Sequence, residues 1–207
     1  MADYMVEEDS GARAIRYGGL AVAIHWVSAA LILTQVYLGF AFSDLPKGTP
    51  ERAELFTWHK TVGVVILLLA LTRLAVRLID APPPYPADFP KWERRFAVWN
   101  HRAFYFLIIA LPLTGLAAVS KRAQGGMTEL AGGTSFPVVP IPALGGAHEV
   151  LVFTTIGLLV IHVLAALKNQ FINRGPVADR MPPFRSTRPS ATAPASRPPP
   201  RRSRPRR

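Results

Sequence analysis

Five histidines, His25, His59, His101, His148 and His162, carry the most versatile chemistry available to this sequence. Imidazole ligates metals and moves protons near neutral pH. Two of the five fall in one stretch, AHEVLVFTTIGLLVIHVLAAL, residues 147–167, which is apolar and long enough to cross a bilayer. His148 and His162 are fourteen residues apart. A helix of that length rises about 21 Å and turns through about 1400°, about 40° short of four turns. The two rings therefore share one side of the helix at opposite membrane depths. An ionisable group inside a membrane is costly and marks a functional site by default, so each ring calls for a partner.

The elements that must supply those partners are apolar segments. Half of the 207 residues are hydrophobic, and three further runs match a membrane crossing: about Gly19 to Phe42, Trp58 to Ile79 and Arg102 to Val119. Arg73 and Arg77 lie in the last turns of the second span, where they can reach the headgroups. Pro112 removes one helical hydrogen bond from the third and is expected to bend it. The leader MADYMVEEDSG is acidic where a signal peptide is basic, so the first span is expected to be retained. Basic residues set the orientation. Arg13 and Arg16 precede span one; Lys91, Arg94, Arg95 and Arg102 lie between spans two and three, and the tail adds many more. Both termini are therefore expected in the cytoplasm.

Depth then pairs the histidines. Span two runs inward and span four runs inward, which puts His59 and His148 at the outer side. His25, early in the outward-running first span, meets His162 at the inner side, and His101 is left over at the cytoplasmic surface. Two neutral imidazoles at one depth on different helices can clamp a flat metal macrocycle. Haem iron takes axial nitrogens on both faces, and a four-helix bundle supplies the slot. Zinc would need three or four close ligands, and Glu149 is the lone carboxylate within these spans. A single histidine would read as an interhelical hydrogen-bonding group; two depth-matched pairs in one chain point to haem.

The stretches RYGGLAVAIHW, WHKTVGVVILLLALTRLAVRL, NHRAFYFLIIALPLTGL and HEVLVFTTIGLLVIHVLAALKNQF, in this order and spacing, resemble the bacterial cytochrome b561 family of haem-b membrane proteins. The resemblance covers most of residues 16–175. It implies that His25 and His162 ligate one haem b and His59 and His148 another. It also implies ubiquinone or a related quinone as inner substrate and, in some relatives, superoxide as outer donor. One departure is that Asn169 and Gln170 stand after AALK, where many relatives carry histidine.

The expected fold is thus an all-α membrane protein, a four-transmembrane-helix bundle enclosing two haems. It comprises an acidic leader (1–15), the bundle (16–175) and a disordered Pro/Arg-rich cytoplasmic tail (176–207), in the bacterial inner membrane. Arg73 and Arg77 share a helix face and suit haem propionates or a quinone headgroup, although positive-inside anchoring explains them equally. Arg16 and Tyr17 lie at the same depth and can join them, and His101 is expected to bond a propionate or line the quinone site. Gly39, Gly63, Gly115 and Gly157 permit close approach of a helix or porphyrin, with plain helix packing the simpler use.

Composition narrows the function classes. The net charge of +11 is concentrated in STRPSATAPASRPPPRRSRPRR, which suits anionic lipid headgroups better than nucleic acid. Cysteine is absent, which excludes disulfides, iron–sulfur clusters and thiolate zinc sites. No nucleotide loop, nucleophile triad or carboxylate pair is apparent. Outer cations Lys47, Arg52, Lys60, Lys121 and Arg122 could steer superoxide, diluted by Asp44, Glu51, Glu54 and Glu129. The reading is a di-haem cytochrome transferring single electrons between quinone and a periplasmic donor, either superoxide or a redox protein. The competing readings are a haem-bearing anchor serving a separate periplasmic dehydrogenase or hydrogenase, and a non-haem transporter or scaffold.

Overall fold

The structure, a computed structural model, describes residues 17–79, 85, 89–119, 126–138, 141, 144–173 and 180–181. The acidic leader with Arg16, the loop cations Lys121 and Arg122, and the basic tail apart from Arg180 and Met181 lie outside those residues. Four helices among them are long and apolar enough to cross a membrane. They are α1 (Gly19–Asp44), α2 (Pro50–Ile79), α3 (Lys91–Val119) and α4 (Gly145–Leu167). α4 runs on as a π-helical stretch, Lys168–Asn173. The all-α membrane bundle expected from sequence is the observed architecture.

Two helices begin well before their apolar runs. α2 starts at Pro50 rather than near Trp58, because Thr49 caps it: the Thr49 hydroxyl accepts the Arg52 N–H at 3.3 Å. Pro50 then occupies a first-turn position where its missing N–H costs nothing, and Glu51 meets the positive helix end. α3 starts at Lys91 rather than near Arg102, which places His101 well inside the helix instead of at its edge.

The α1–α2 connection is a tight reversal. Gly48 adopts φ +92°, a left-handed conformation that favours glycine. Arg52 reaches back and donates to the carbonyls of Phe42 at 2.5 Å, Ser43 at 3.2 Å and Leu45 at 2.7 Å, closing the exposed end of α1. Between α3 and α4 the chain forms a two-stranded antiparallel hairpin, β1 (Met127–Glu129) with β2 (Ser135–Pro137), with Thr128 opposite Phe136. Gly132 and Gly133 at its tip have φ of +80° and +74°. The hairpin is pinned to α2: Lys60 donates to Thr128 Oγ1 at 3.2 Å and to the Glu129 carbonyl at 2.6 Å, and Ala131 N–H donates to Thr61 Oγ1 at 2.8 Å.

Large apolar side chains face outward, as lipid demands: Tyr37 is 68% exposed, Phe106 65% and Val150 67%. The interior core is small and centred on α2, with Val64, Ile66, Leu67 and Ala70 beside Leu107 and Ala117 of α3. Close backbone packing joins α1 to α2, α2 to α3 and α3 to α4. The helix pairs that carry facing histidines, α1 with α4 and α2 with α4, are not among those close neighbours.

Candidate functional site

At the hairpin end of the bundle, His59 of α2 faces His148 of α4, with ring centres 6.4 Å apart and planes at 86°. At the opposite end, where α1 begins, His25 of α1 faces His162 of α4 at 6.3 Å and 57°. Two imidazoles bound to one iron on opposite faces, with metal–nitrogen bonds of about 2.0 Å, have ring centres about 6.3 Å apart. Both pairs meet that separation, and each spans helices whose backbones are held apart.

Each of the four rings has one nitrogen engaged by the protein and the other free of hydrogen-bonding partners among the described residues. His148 Nδ1 donates to the Leu111 carbonyl at 2.9 Å and lies 3.2 Å from Thr114 Oγ1. His162 Nδ1 lies 3.3 Å from Asn100 Nδ2, and His25 Nδ1 lies 3.0 Å from Arg73 Nη1. His59 Nε2 lies 3.1 Å from Gln35 Nε2, which also donates to the His59 carbonyl at 3.0 Å. The second nitrogen of His59, Nδ1, is buried and has no partner. A metal-ligating imidazole donates its second ring N–H to an acceptor. The Leu111 carbonyl supplies one for His148. Arg73, Asn100 and Gln35 instead face His25, His162 and His59 with donor nitrogens, and Asn100 Oδ1 and Gln35 Oε1 are buried without a partner among the described residues.

Glycine occupies the contacts that let these rings sit where they do. A Cβ at position 39 would lie 3.4 Å from His59 Cε1, and one at position 115 would lie 3.1 Å from His148 Cε1. At position 63 it would lie 3.2 Å from Gln35 Nε2, whereas position 157 has nothing within 4 Å. Three of the four glycines singled out by sequence therefore border the histidine sites. Phe42 packs edge-on to His59 with centres 5.2 Å apart, and Phe104 does the same to His162 at 5.3 Å.

His101 does not stand apart. Its ring lies 6.1 Å from that of His162, so three histidines gather at this end. Arg73 touches His25 and lies over the Tyr105 ring at 5.9 Å, and both Arg73 and Arg77 lie within electrostatic reach of His101. Arg180, which sequence assigned to the tail, is 5% exposed and stacks over Tyr85 at 4.4 Å, while its carbonyl accepts the Tyr17 N–H at 3.4 Å. Burial pushes the Tyr85 phenol up, so it remains neutral. Lys168 pairs with Glu93 at 2.8 Å and ties α4 to the start of α3.

Gln35, Asn100 and Thr114 are site residues that sequence reasoning missed. For Gln35 and Thr114 the one available signal was polarity within an apolar run; Asn100 precedes the third run and gave none.

Comparison with known proteins gives a consistent picture. The sequence pattern of the family described as prokaryotic cytochrome b561 matches residues 16–183. The chain is 28% identical to "Cytochrome b561 homolog 2" of Escherichia coli K12, over 80% of this chain and 90% of that protein. It is 27% identical to "Probable superoxide oxidase CybB" of Yersinia pestis, over 81% and 96%. To "Cytochrome b561 homolog 1" of Escherichia coli K12 it is 26% identical, over 82% and 98%.

Proposed function

Because the chain belongs to the prokaryotic cytochrome b561 family, electron-transferring multi-pass proteins of bacterial membranes that bind haem b, we propose that it is a di-haem cytochrome exchanging single electrons with a quinone. The recurrence of one facing-imidazole geometry at both ends of α4 carries the reading. His59 and His148 would hold one haem, and His25 and His162 the other. When bound, each haem supplies reversible one-electron exchange between ferric and ferrous iron.

The residues supply position, charge and protons. The Leu111 carbonyl accepts the Nδ1–H of His148 and would orient it as a ligand. Asn100 would do the same for His162 with its carboxamide oxygen turned to the ring, while Gln35 lies beside His59. With two histidines holding each haem, the chemistry it would supply is outer-sphere electron exchange rather than oxygen binding. A guanidinium can only donate. A neutral His25 that ligates through Nε2 carries its proton on Nδ1, and so releases Arg73 toward an anionic or carbonyl partner. Arg73, Arg77 and His101 then surround the place for a quinone headgroup or haem carboxylates, with His101 the group that can give or take a proton.

The basic bias supports a cytoplasmic location for this end and for both termini, with the hairpin outside and the Arg-rich tail on anionic lipid. A relative named for superoxide oxidation supports superoxide as outer donor. Arg52 and Lys60 direct their donors at backbone carbonyls, yet their charge remains on the outer face to attract an anion.

Purified protein should contain close to two haems b per chain, show a sharp reduced α band and lack a high-spin ferric signal. One haem per chain would remove one pairing, and none would leave a non-haem bundle. In vesicles containing ubiquinone, superoxide should reduce the quinone with no other protein present. Dependence on an added periplasmic protein would favour a haem-bearing anchor. His101→Ala should keep both haems and lower quinone reduction about tenfold or more, as loss of a positioned proton donor does. Loss of a haem in that variant would make His101, not His25, the partner of His162.

A further inference from the structure

We infer that Arg180 is a specificity-determining residue: it fastens the chain beyond α4 across the inner end of the bundle, so that the inner site exchanges electrons with a lipid-soluble quinone and not with water-soluble redox ions. The inference rests on the proposal that His25 and His162 hold a haem there.

Three segments far apart in sequence meet at this end. Tyr17 lies just before α1, Tyr85 and Phe89 lie in the link between α2 and α3, and Arg180 lies beyond α4. Arg180 joins the three. Its carbonyl accepts the Tyr17 N–H at 3.4 Å, and its guanidinium lies over the Tyr85 ring at 4.4 Å. Phe89 stacks on the same ring with centres 5.3 Å apart and planes at 24°, and Arg94 approaches it at 5.9 Å. Arginine is seldom buried unless it is held by partners. Arg180 is buried, so it belongs to the folded end of the bundle and not to a solvated tail. A guanidinium suits the place, because it stacks on a ring through its face while its edge still donates.

The joined segments lie beyond the helix ends, on the far side of the histidines from the hairpin. Arg180 is within electrostatic reach of His101, whose ring lies 6.1 Å from that of His162. Arg77 reaches both His101 and Tyr85, which ties the ring to the same cluster. His25 lies about one and a half turns inside α1, close to the Tyr17 contact.

Outer-sphere electron exchange weakens steeply with distance, so a solvated ion reacts only by close approach to the redox centre. Arg180 on Tyr85, tied to Tyr17, keeps such an ion outside the inner end. A quinone dissolved in the bilayer approaches through the side of the bundle and does not pass this cover.

The test mixes reduced full-length protein with ferricyanide or, separately, with a short-chain ubiquinone, in stopped flow. Ferricyanide should oxidise the parent in two phases, and the slower one, retained in His148→Ala, belongs to the inner haem. In Arg180→Ala that phase should become severalfold faster, with two haems present and oxidation by the quinone unchanged. Ferricyanide is a multiply charged anion, so loss of a cation alone would slow it. Acceleration therefore reports opening and not charge. Tyr85→Leu removes the ring without changing charge, since the phenol is neutral, and should accelerate the same phase. If one variant lacks two haems, the other decides. An unchanged or slower inner phase in a variant with two haems would overturn the inference, as would a quinone rate that rises equally. Loss of the inner haem from both variants would make these residues part of its hold, and would overturn it too. A parent whose two haems react equally fast with ferricyanide has no such cover. Absence of an inner haem from the parent would instead refute the underlying assignment of ligands.

Discussion

His148→Ala is expected to lose one haem and retain the other, and His59→Ala is expected to lose the same one. Either change would leave the hairpin-end haem with one histidine, because among the five histidines His59 and His148 face only each other, at 6.4 Å. The second haem should persist in both variants, held by His25 and His162 about 21 Å away along the fourth helix. The reciprocal variants, His25→Ala and His162→Ala, should lose the inner haem and, with it, quinone reduction. In the His148 and His59 variants an outer donor should no longer reduce the protein, while quinol still exchanges electrons with the remaining centre. A bound haem also stabilises the bundle, so a vacated slot can open locally. The measurement is thus a haem count and redox titration on protein that elutes folded. Removal of the same haem by His59→Ala and His162→Ala, with His148→Ala sparing it, would refute pairing by depth.

That pairing was legible because helix periodicity and charge bias are both written in sequence. Fourteen residues between His148 and His162 fix a common face, and the alternation of span direction sets which histidines share a depth. The ring contact of His101 with His162 was not legible, although sequence placed both at the same end. Its depth was judged from an apolar run beginning at Arg102, whereas the helix begins at Lys91 and carries the ring to within 6.1 Å of His162. Polar turns beyond the membrane give no hydropathy signal, although Thr49, Pro50 and Glu51 did spell a helix start.

The residues that orient the ligands were hidden for a different reason. Gln35 and Thr114 are isolated polar side chains in apolar runs, Asn100 lies just ahead of the third run, and nothing local says which neighbour they meet. Their partners lie 24, 62 and 34 positions away in the chain. The Gly- and Pro-rich segment after the third span likewise gave no strand pattern. Its hairpin is defined by contacts to Lys60 and Thr61, next to His59.

Gly115→Leu is expected to abolish outer haem binding as completely as His148→Ala, without replacing a ligand. His148 reaches the Leu111 carbonyl across the bare face of Gly115, where a Cβ would lie 3.1 Å from Cε1 and 3.3 Å from Nδ1. The leucine side chain fills that space and pushes the imidazole off the carbonyl that orients it. Gly115→Ala is the graded case. Overpacking of this kind costs about 1–3 kcal/mol, about fivefold to 150-fold in affinity. Helix propensity acts in the opposite direction, since alanine stabilises a helix over glycine by roughly 0.5–1 kcal/mol. The apo bundle of Gly115→Ala should therefore melt no lower than the parent while its outer haem is bound more weakly. Gly157→Ala, with nothing within 4 Å of the new methyl group, should show the gain in stability alone and keep both haems. Titrating haem into each apo protein and melting each before and after loading separates the two effects. Two haems with parental affinity in Gly115→Leu would show that His148 does not depend on this contact, and would remove the support that the glycine gives to His148 as a ligand.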